Sequence, residues 1–305
     1  MPTDSAQQET VLLSGASGML GHAIARALEA KGFALRRLVR RAPSGTDEIS
    51  WAPDAGGVAG PEQLEGIVAA VHLSGASVAG HRWSAAFKRE LTASRVNSTR
   101  VLAETLARLK RPPKVLIAAS ATGFYGNRGD DALDESSPAG HGFFPELCAA
   151  WEAASQPAAD AGIRVVHLRF GIVLGHGGAL ERLAPLFRLG LGGPLGNGRQ
   201  WMSWIGEPDA VSAAMFALES ATLAGPLNAV APNPATNAEF TRQLGRAVHR
   251  PALFPAPAFA LRVAFGEMAD EALLASARVL PTRLLAAGFR FQHPSLAEAL
   301  RAALG

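Results

Sequence analysis

The seven residues Gly15-Ala16-Ser17-Gly18-Met19-Leu20-Gly21 constrain this chain more than any other segment. They stand between a short apolar run, Val11–Ser14, and a stretch, Met19–Ala30, in which Leu20, Ile24 and Leu28 recur at helical spacing. A strand that turns on glycine directly into a helix makes an anion cradle. The first glycine permits the tight turn, the second lets the backbone approach a pyrophosphate, and the third lets helix and strand pack closely. The helix N-terminus then offers free N–H groups and a partial positive charge. The spacing predicts a dinucleotide site built from Gly15, Ser17, Gly18, Met19, Leu20 and Gly21.

The alternation continues. Strands are expected at Ala34–Val39, Ile49–Trp51, Ala70–Leu73, Val115–Ser120 and Arg164–Phe170, with helical stretches at Ser84–Leu109 and Phe144–Ala161, the latter bent or ended early at Pro157. Strand–helix–strand repetition implies parallel strands with right-handed crossovers, hence an α/β fold with a Rossmann-like, doubly wound parallel sheet. After residue 171 glycine-rich loops surround a short helix, Leu180–Leu189. A helix at Glu207–Glu219 and a strand at Pro226–Val230 then return to the sheet. Another helix is expected at Ala238–Val248, and the end, Ala258–Leu304, reads as helical with a short extended piece near Phe289–Phe291. The expected division is a dinucleotide-binding domain over 1–175, rejoined by 205–235. A smaller C-terminal substrate domain takes 176–204 and 236–305.

Composition removes whole classes of function. One cysteine in 305 residues excludes a disulfide framework and a multi-cysteine zinc site, and the eight histidines form no closely spaced pair, so no metal is expected. The net charge of +3 comes with no basic run longer than two arginines, which speaks against a nucleic-acid partner. The opening MPTDSAQQETV lacks the basic and apolar regions of a signal peptide. The most apolar run, Ala256–Phe265, is short and broken by Pro257 and Arg262, so no membrane partner is expected and the chain reads as cytoplasmic.

The end of the second strand selects the nucleotide. An NAD site usually places an acid there for the ribose hydroxyls; here the strand ends in Arg40-Arg41, with no acid before Asp47. Two guanidinium groups suit a 2′-phosphate, so NADP(H) is preferred over NAD(H). The turn Leu73-Ser74-Gly75-Ala76 ends the fourth expected strand and falls beside the adenine ribose and pyrophosphate, with His72 read as a packed imidazole.

At these residues the chain resembles the extended short-chain dehydrogenase/reductase superfamily, in its NAD(P)-dependent epimerase/dehydratase branch. More closely it is similar to an atypical subgroup, the epimerase family proteins, which carry a C-terminal domain of unknown function. The resemblance runs over nearly the whole chain. It includes His81-Arg82-Trp83-Ser84, Ser120–Gly126, Leu133–Pro138, Leu147–Glu152 and the long block Phe187–Ile205. It implies the two-part fold but no defined substrate. Typical members use Tyr-x-x-x-Lys for proton transfer. The only tyrosine here is Tyr125, with Gly129 four residues on, and no lysine follows Lys114, so the pair is absent. Counting back from Trp151-Glu152, the resemblance puts Phe144 at the Tyr position and Cys148 at the Lys position.

The remaining catalytic candidates are Ser120, at the position of the superfamily's catalytic Ser/Thr, and Tyr125, which would need a nearby cation to lower its pKa. Arg82, Thr122, Arg199 and Trp204 are candidates for the substrate pocket. Glu135 resembles a loop acid near the substrate, and Asn97 and Arg100 lie where a polar residue orders the loop beside the cofactor. The leading reading is an NADP(H)-dependent oxidoreductase acting on an unknown small molecule, with substrate or water supplying the proton. The alternative is a non-catalytic NADP(H) sensor, and sugar-nucleotide epimerisation ranks below both. A small molecule is the only partner class this reading requires, with a homodimer left open.

Overall fold

The computed structural model describes residues 8–55 and 57–305; the opening segment read above for a leader lies mostly outside them. The first half alternates as follows: β1 Thr10–Ser14, α1 Met19–Ala30, β2 Ala34–Val39, β3 Glu48–Ala52, β4 Gly57–Val58, β5 Ala69–His72, α2 Ala85–Thr92, α3 Ser98–Ala107, β6 Val115–Ala121, β7 Ala132–Leu133, α4 Phe143–Ala153, α5 Gln156–Asp160 and β8 Arg164–Phe170. The second half comprises β9 Ile172–Leu174, α6 Gly178–Arg188, β10 Trp201–Met202, β11 Trp204–Gly206, α7 Glu207–Glu219, β12 Gly225–Ala229, β13 Ala235–Thr236, α8 Asn237–Ala247, α9 Ala258–Phe265, β14 Arg278–Val279, α10 Thr282–Ala286 and α11 Leu296–Leu304.

Eight strands form one sheet in the order β12-β8-β6-β5-β1-β2-β3-β4. Every pairing is parallel except β3 with β4. From β1 the chain steps outward through β2 and β3, then crosses back to β5 on the other side and continues through β6 and β8. The order therefore reverses between β1 and β5, and a crevice opens there at the carboxyl ends of the strands. Alternation along the strands feeds two apolar layers. Val11 and Leu13 of β1, with Val71, Ile117 and Val166, pack beneath α1 and α7. Leu12, with Ala70, Leu116 and Val165, faces Leu102 and Leu106 of α3. A third cluster, with Trp204, Phe240 and Leu300, holds the C-terminal helices together.

Three expectations change. The stretch read as one helix, Ser84–Leu109, is α2 and α3 joined by a wide π turn at Ala93–Asn97. That turn directs Ser94 and Arg95 at the loop after β5: the Ser94 hydroxyl accepts from Ala76 N–H, and Arg95 Nη2 donates to Ala76 O. Phe144–Ala161 breaks between Ala153 and Gln156, with Pro157 tolerated in the first turn of α5. Phe289–Phe291 is irregular rather than extended: Phe289 stacks edge-on to Phe216 and Phe291, and buried Asp209 accepts from the N–H groups of Gln292 and His293. The extended piece lies earlier, where Arg278–Val279 pairs with Ala132–Leu133.

Candidate functional site

The cradle is built at the reversal point. Gly15 has φ +75°, and a Cβ there would lie 2.8 Å from the Leu73 carbonyl carbon, so the turn after β1 and the end of β5 touch only because Gly15 lacks a side chain. A Cβ on Gly21 would run into the Gly15 carbonyl oxygen. Gly18 is the N-cap of α1 and supplies no side-chain acceptor, and no acid stands in the first turn. The amides at this helix start are therefore left for an anion. Ser17 and Gly18 are exposed there, and Met19 and Leu20 are half-buried. Leu73, Ser74, Gly75 and Ala76 form the facing wall after β5.

Beneath that wall lies a residue the sequence reading missed. The Arg95 guanidinium is buried, with Nη2 on Ala76 O (2.8 Å) and Nη1 on Leu91 O (3.3 Å), and burial lowers its pKa. Its Nε has no partner, and a Cβ on Gly75 would lie 3.3 Å from its Cζ. The sequence reading looked to Asn97 and Arg100 on the same stretch. Asn97 instead reaches Asp54 (3.3 Å), and Arg100 is exposed. A signal for Arg95 would have been a cation framed by Leu91 and Val96, both core residues.

The two arginines after β2 differ. Arg40 is exposed with its guanidinium free among the described residues. Arg41 grips Glu48 through both terminal nitrogens (2.7 and 2.6 Å). Those bonds, with the Ser44 N–H, hold the Glu48 carboxyl down at about 2.

The catalytic candidates are joined in one polar chain. Ser120, 2% exposed, donates to Glu152 Oε1 (2.6 Å). Arg169 grips Glu152 through Nε to Oε1 (2.7 Å) and Nη2 to Oε2 (2.8 Å). Its third arm, Nη1, donates to the Tyr125 hydroxyl (2.9 Å), which donates in turn to Asn228 Oδ1 (2.7 Å). Burial outweighs the nearby Arg169 and raises the Tyr125 pKa. Burial acts to lower the Arg169 pKa, but its bonds to Glu152 carry it above the ordinary value. Tyr125 is fully buried with both sides of its hydroxyl engaged, so it does not present a proton to the crevice. The sequence reading missed Glu152 and Arg169 as a pair. A cation in the apolar strand Arg164–Phe170 was the available sign that an acid had to lie opposite.

The other candidates scatter. Phe144 stands against Gly123, where a Cβ would meet its ring at 2.5 Å. Cys148 is buried, and desolvation pushes its thiol up to about 12. Thr122 opens the short turn after β6, half-buried. Arg82 is exposed and donates to Val263 O (2.9 Å), and Arg199 is exposed. Trp204, expected at a substrate pocket, is instead a core residue: it is fully buried and donates to Asn233 O (3.0 Å). Glu135 is also structural, accepting from the N–H groups of Asn228 and Arg283.

A family model described as NAD dependent epimerase/dehydratase family matches residues 11–229. The chain belongs to that family. A second model, a domain of unknown function named DUF1731, matches residues 256–303. Among similar proteins, the epimerase family protein Mb2239 of Mycobacterium bovis is 46% identical over 291 residues, covering 95% of this chain and 96% of its own. The structure of human epimerase family protein SDR39U1, solved with NADPH, superposes with a TM-score of 0.88 at 35% identity, covering 96% of this chain and 98% of that one. A structure described as the nucleoside-diphosphate sugar epimerase of Corynebacterium glutamicum gives 0.80 at 34% identity, covering 98% of this chain and 59% of that one. Among the described residues no helix is long and apolar enough to cross a membrane, and no group of three His, Cys, Asp or Glu is set to hold a metal.

Proposed function

We propose that this chain binds NADP(H) in the crevice between β1 and β5 and uses it for a redox step on a small molecule that needs no proton from a protein side chain. The observation that carries the reading is the uncapped start of α1 behind Gly15 and Gly18, with free Arg40 at the end of β2. The α1 amides suit the pyrophosphate and Arg40 the 2′-phosphate, with Arg41 available when it leaves Glu48. The buried Arg95 beneath Gly75 holds the Ala76 carbonyl and so fixes the wall the ligand would lie against. The human relative whose structure contains NADPH points the same way.

When bound, the nucleotide supplies or accepts a hydride. The chain's own residues then position and exclude. Ser120 directs its hydrogen at Glu152 and has lone pairs left to offer a donor. Phe144, which the resemblance puts at the superfamily's Tyr position, offers only an apolar ring. This favours reduction of a carbonyl or conjugated alkene whose anionic product takes its proton from water. It disfavours reversible oxidation of a sugar alcohol, which needs a base at that position. The second reading, a sensor without turnover, is supported by the burial of Tyr125, whose hydroxyl is engaged with Arg169 and Asn228.

The test is a titration with NADPH and NADH, followed by the absorbance of bound NADPH while carbonyls and enones are added. NADPH should bind the more tightly, and some compound should oxidise it. Arg40→Ala with Arg41→Ala should cost NADPH about 1.5–3 kcal/mol and leave NADH nearly unchanged. Equal losses for both would refute the NADP preference, and binding without turnover across the panel would favour the sensor.

A further inference from the structure

Eight of the nine most exposed large apolar side chains among the described residues fall in two segments, 186–191 and 253–265. Backbone bonds join the segments. Phe254 N–H donates to Gly192 O, Ala256 N–H to Pro194 O and Gly196 N–H to Ala256 O, while Arg250 Nε reaches Arg188 O. The result is one face spanning the end of α6, the proline-punctuated strap before α9 and the outer side of α9. Leu189, Leu253 and Val263 are more than 70% exposed, and Leu191, Phe254 and Phe259 at least 60%. Apolar side chains scattered singly need no explanation, but a continuous set does.

Charge says what covers it. The acids bordering α9 are all engaged: Glu267 with Lys88, Asp270 with Arg262, and Glu271 with the N–H groups of Phe143 and Phe144. Glu181 lies in the first turn of α6, at the far end of that helix. Arg188 and Arg250 are adjacent, exposed and without a carboxylate partner among the described residues, so the face carries free positive charge. Two copies meeting on it about a twofold would offer these arginines no free carboxylate from the same face. An anionic bilayer accepts both features, taking Leu and Phe into its acyl boundary and Arg at its phosphates. We propose that this face is a peripheral docking surface for an anionic lipid membrane. No spanning segment is involved; the proposal replaces the expectation, drawn from the short and broken run Ala256–Phe265, of no membrane partner.

The face borders the crevice. Arg182 of α6 donates to Ala79 O, and Arg82 to Val263 O, both in the segment that follows β5. Docking would therefore hold that side of the crevice near lipid. The inference stands apart from the cofactor reading, because vesicle binding is measured without nucleotide.

The experiment is flotation of the purified full chain with vesicles of phosphatidylcholine alone and of phosphatidylcholine mixed equally with phosphatidylglycerol. The chain should float with the anionic vesicles only. Phe254→Ser with Phe259→Ser should abolish flotation, and Arg188→Gln and Arg250→Gln should each weaken it about fivefold. All four positions are exposed, and an unchanged near-ultraviolet circular dichroism spectrum shows that the variants fold. Wild-type protein that stays with the buffer overturns the proposal, as does flotation indifferent to the Phe variants. A concentration-dependent dimer in sedimentation that the Phe variants dissociate also overturns it, and assigns the face to a second copy.

Discussion

Removing Glu152 should cost more stability than removing its partner Arg169, although both changes break the same ion pair. In Glu152→Leu, Arg169 stays buried at 3% exposure with Nε and Nη2 bare. A guanidinium cannot shed its proton, so the full charge remains where water cannot reach it. Breaking a buried pair in this way costs about 3–5 kcal/mol. In Arg169→Leu, Glu152 keeps the Ser120 hydroxyl and can also take up a proton. The loss is therefore capped at about 2–3 kcal/mol at neutral pH. The double variant leaves no charge, strands only the Ser120 hydroxyl and takes from Tyr125 one of its two bonds, at about 1 kcal/mol each. It should therefore be more stable than Glu152→Leu alone. Urea unfolding of the four proteins at pH 7 gives the cycle. Equal or reversed single costs, or a double variant equal to their sum, would refute the argument.

Three further outcomes follow from local geometry. His72 is fully buried between the Ser14 and Ser98 hydroxyls, and desolvation lowers its pKa from 6.5 to about 4. The folded state thus binds fewer protons, so stability is full above about pH 6.5 and about 3 kcal/mol is lost on descending to about pH 4. His72→Asn should remove most of that slope in urea midpoints measured across the range. Cys148, the only cysteine, should be inert to a thiol reagent in the native state and should react once, at the rate of unfolding. Glu48→Gln should release Arg41 and tighten NADPH severalfold in a fluorescence titration, with NADH unaffected. No change with either nucleotide would show that Arg41 plays no part.

The cradle was legible because its demands are local. A tight turn, an uncapped helix start and a close strand–helix approach each need glycine at a fixed spacing, and the spacing is visible in seven residues. The sheet was legible for a similar reason: Val11, Leu12 and Leu13 feed both apolar layers, and α1 repeats its leucines at the helical period. The missing Tyr-x-x-x-Lys pair is a matter of counting, since one tyrosine and four lysines leave no such spacing. These properties were determined by the sequence alone.

Burial and pairing were not. Tyr125 meets Asn228 across 103 positions, and Arg169 meets Tyr125 across 44. Whether a tyrosine faces a crevice or a buried guanidinium is decided by which strands are neighbours. Trp204 carries no mark that distinguishes a pocket indole from a core one; the helices of the C-terminal region close over it and make it core. Arg40 and Arg41 read alike until Glu48, seven residues on in β3, takes one of them. Local backbone geometry is written in short-range residue types, whereas desolvation and ion pairing depend on groups that only the completed sheet brings within bonding distance.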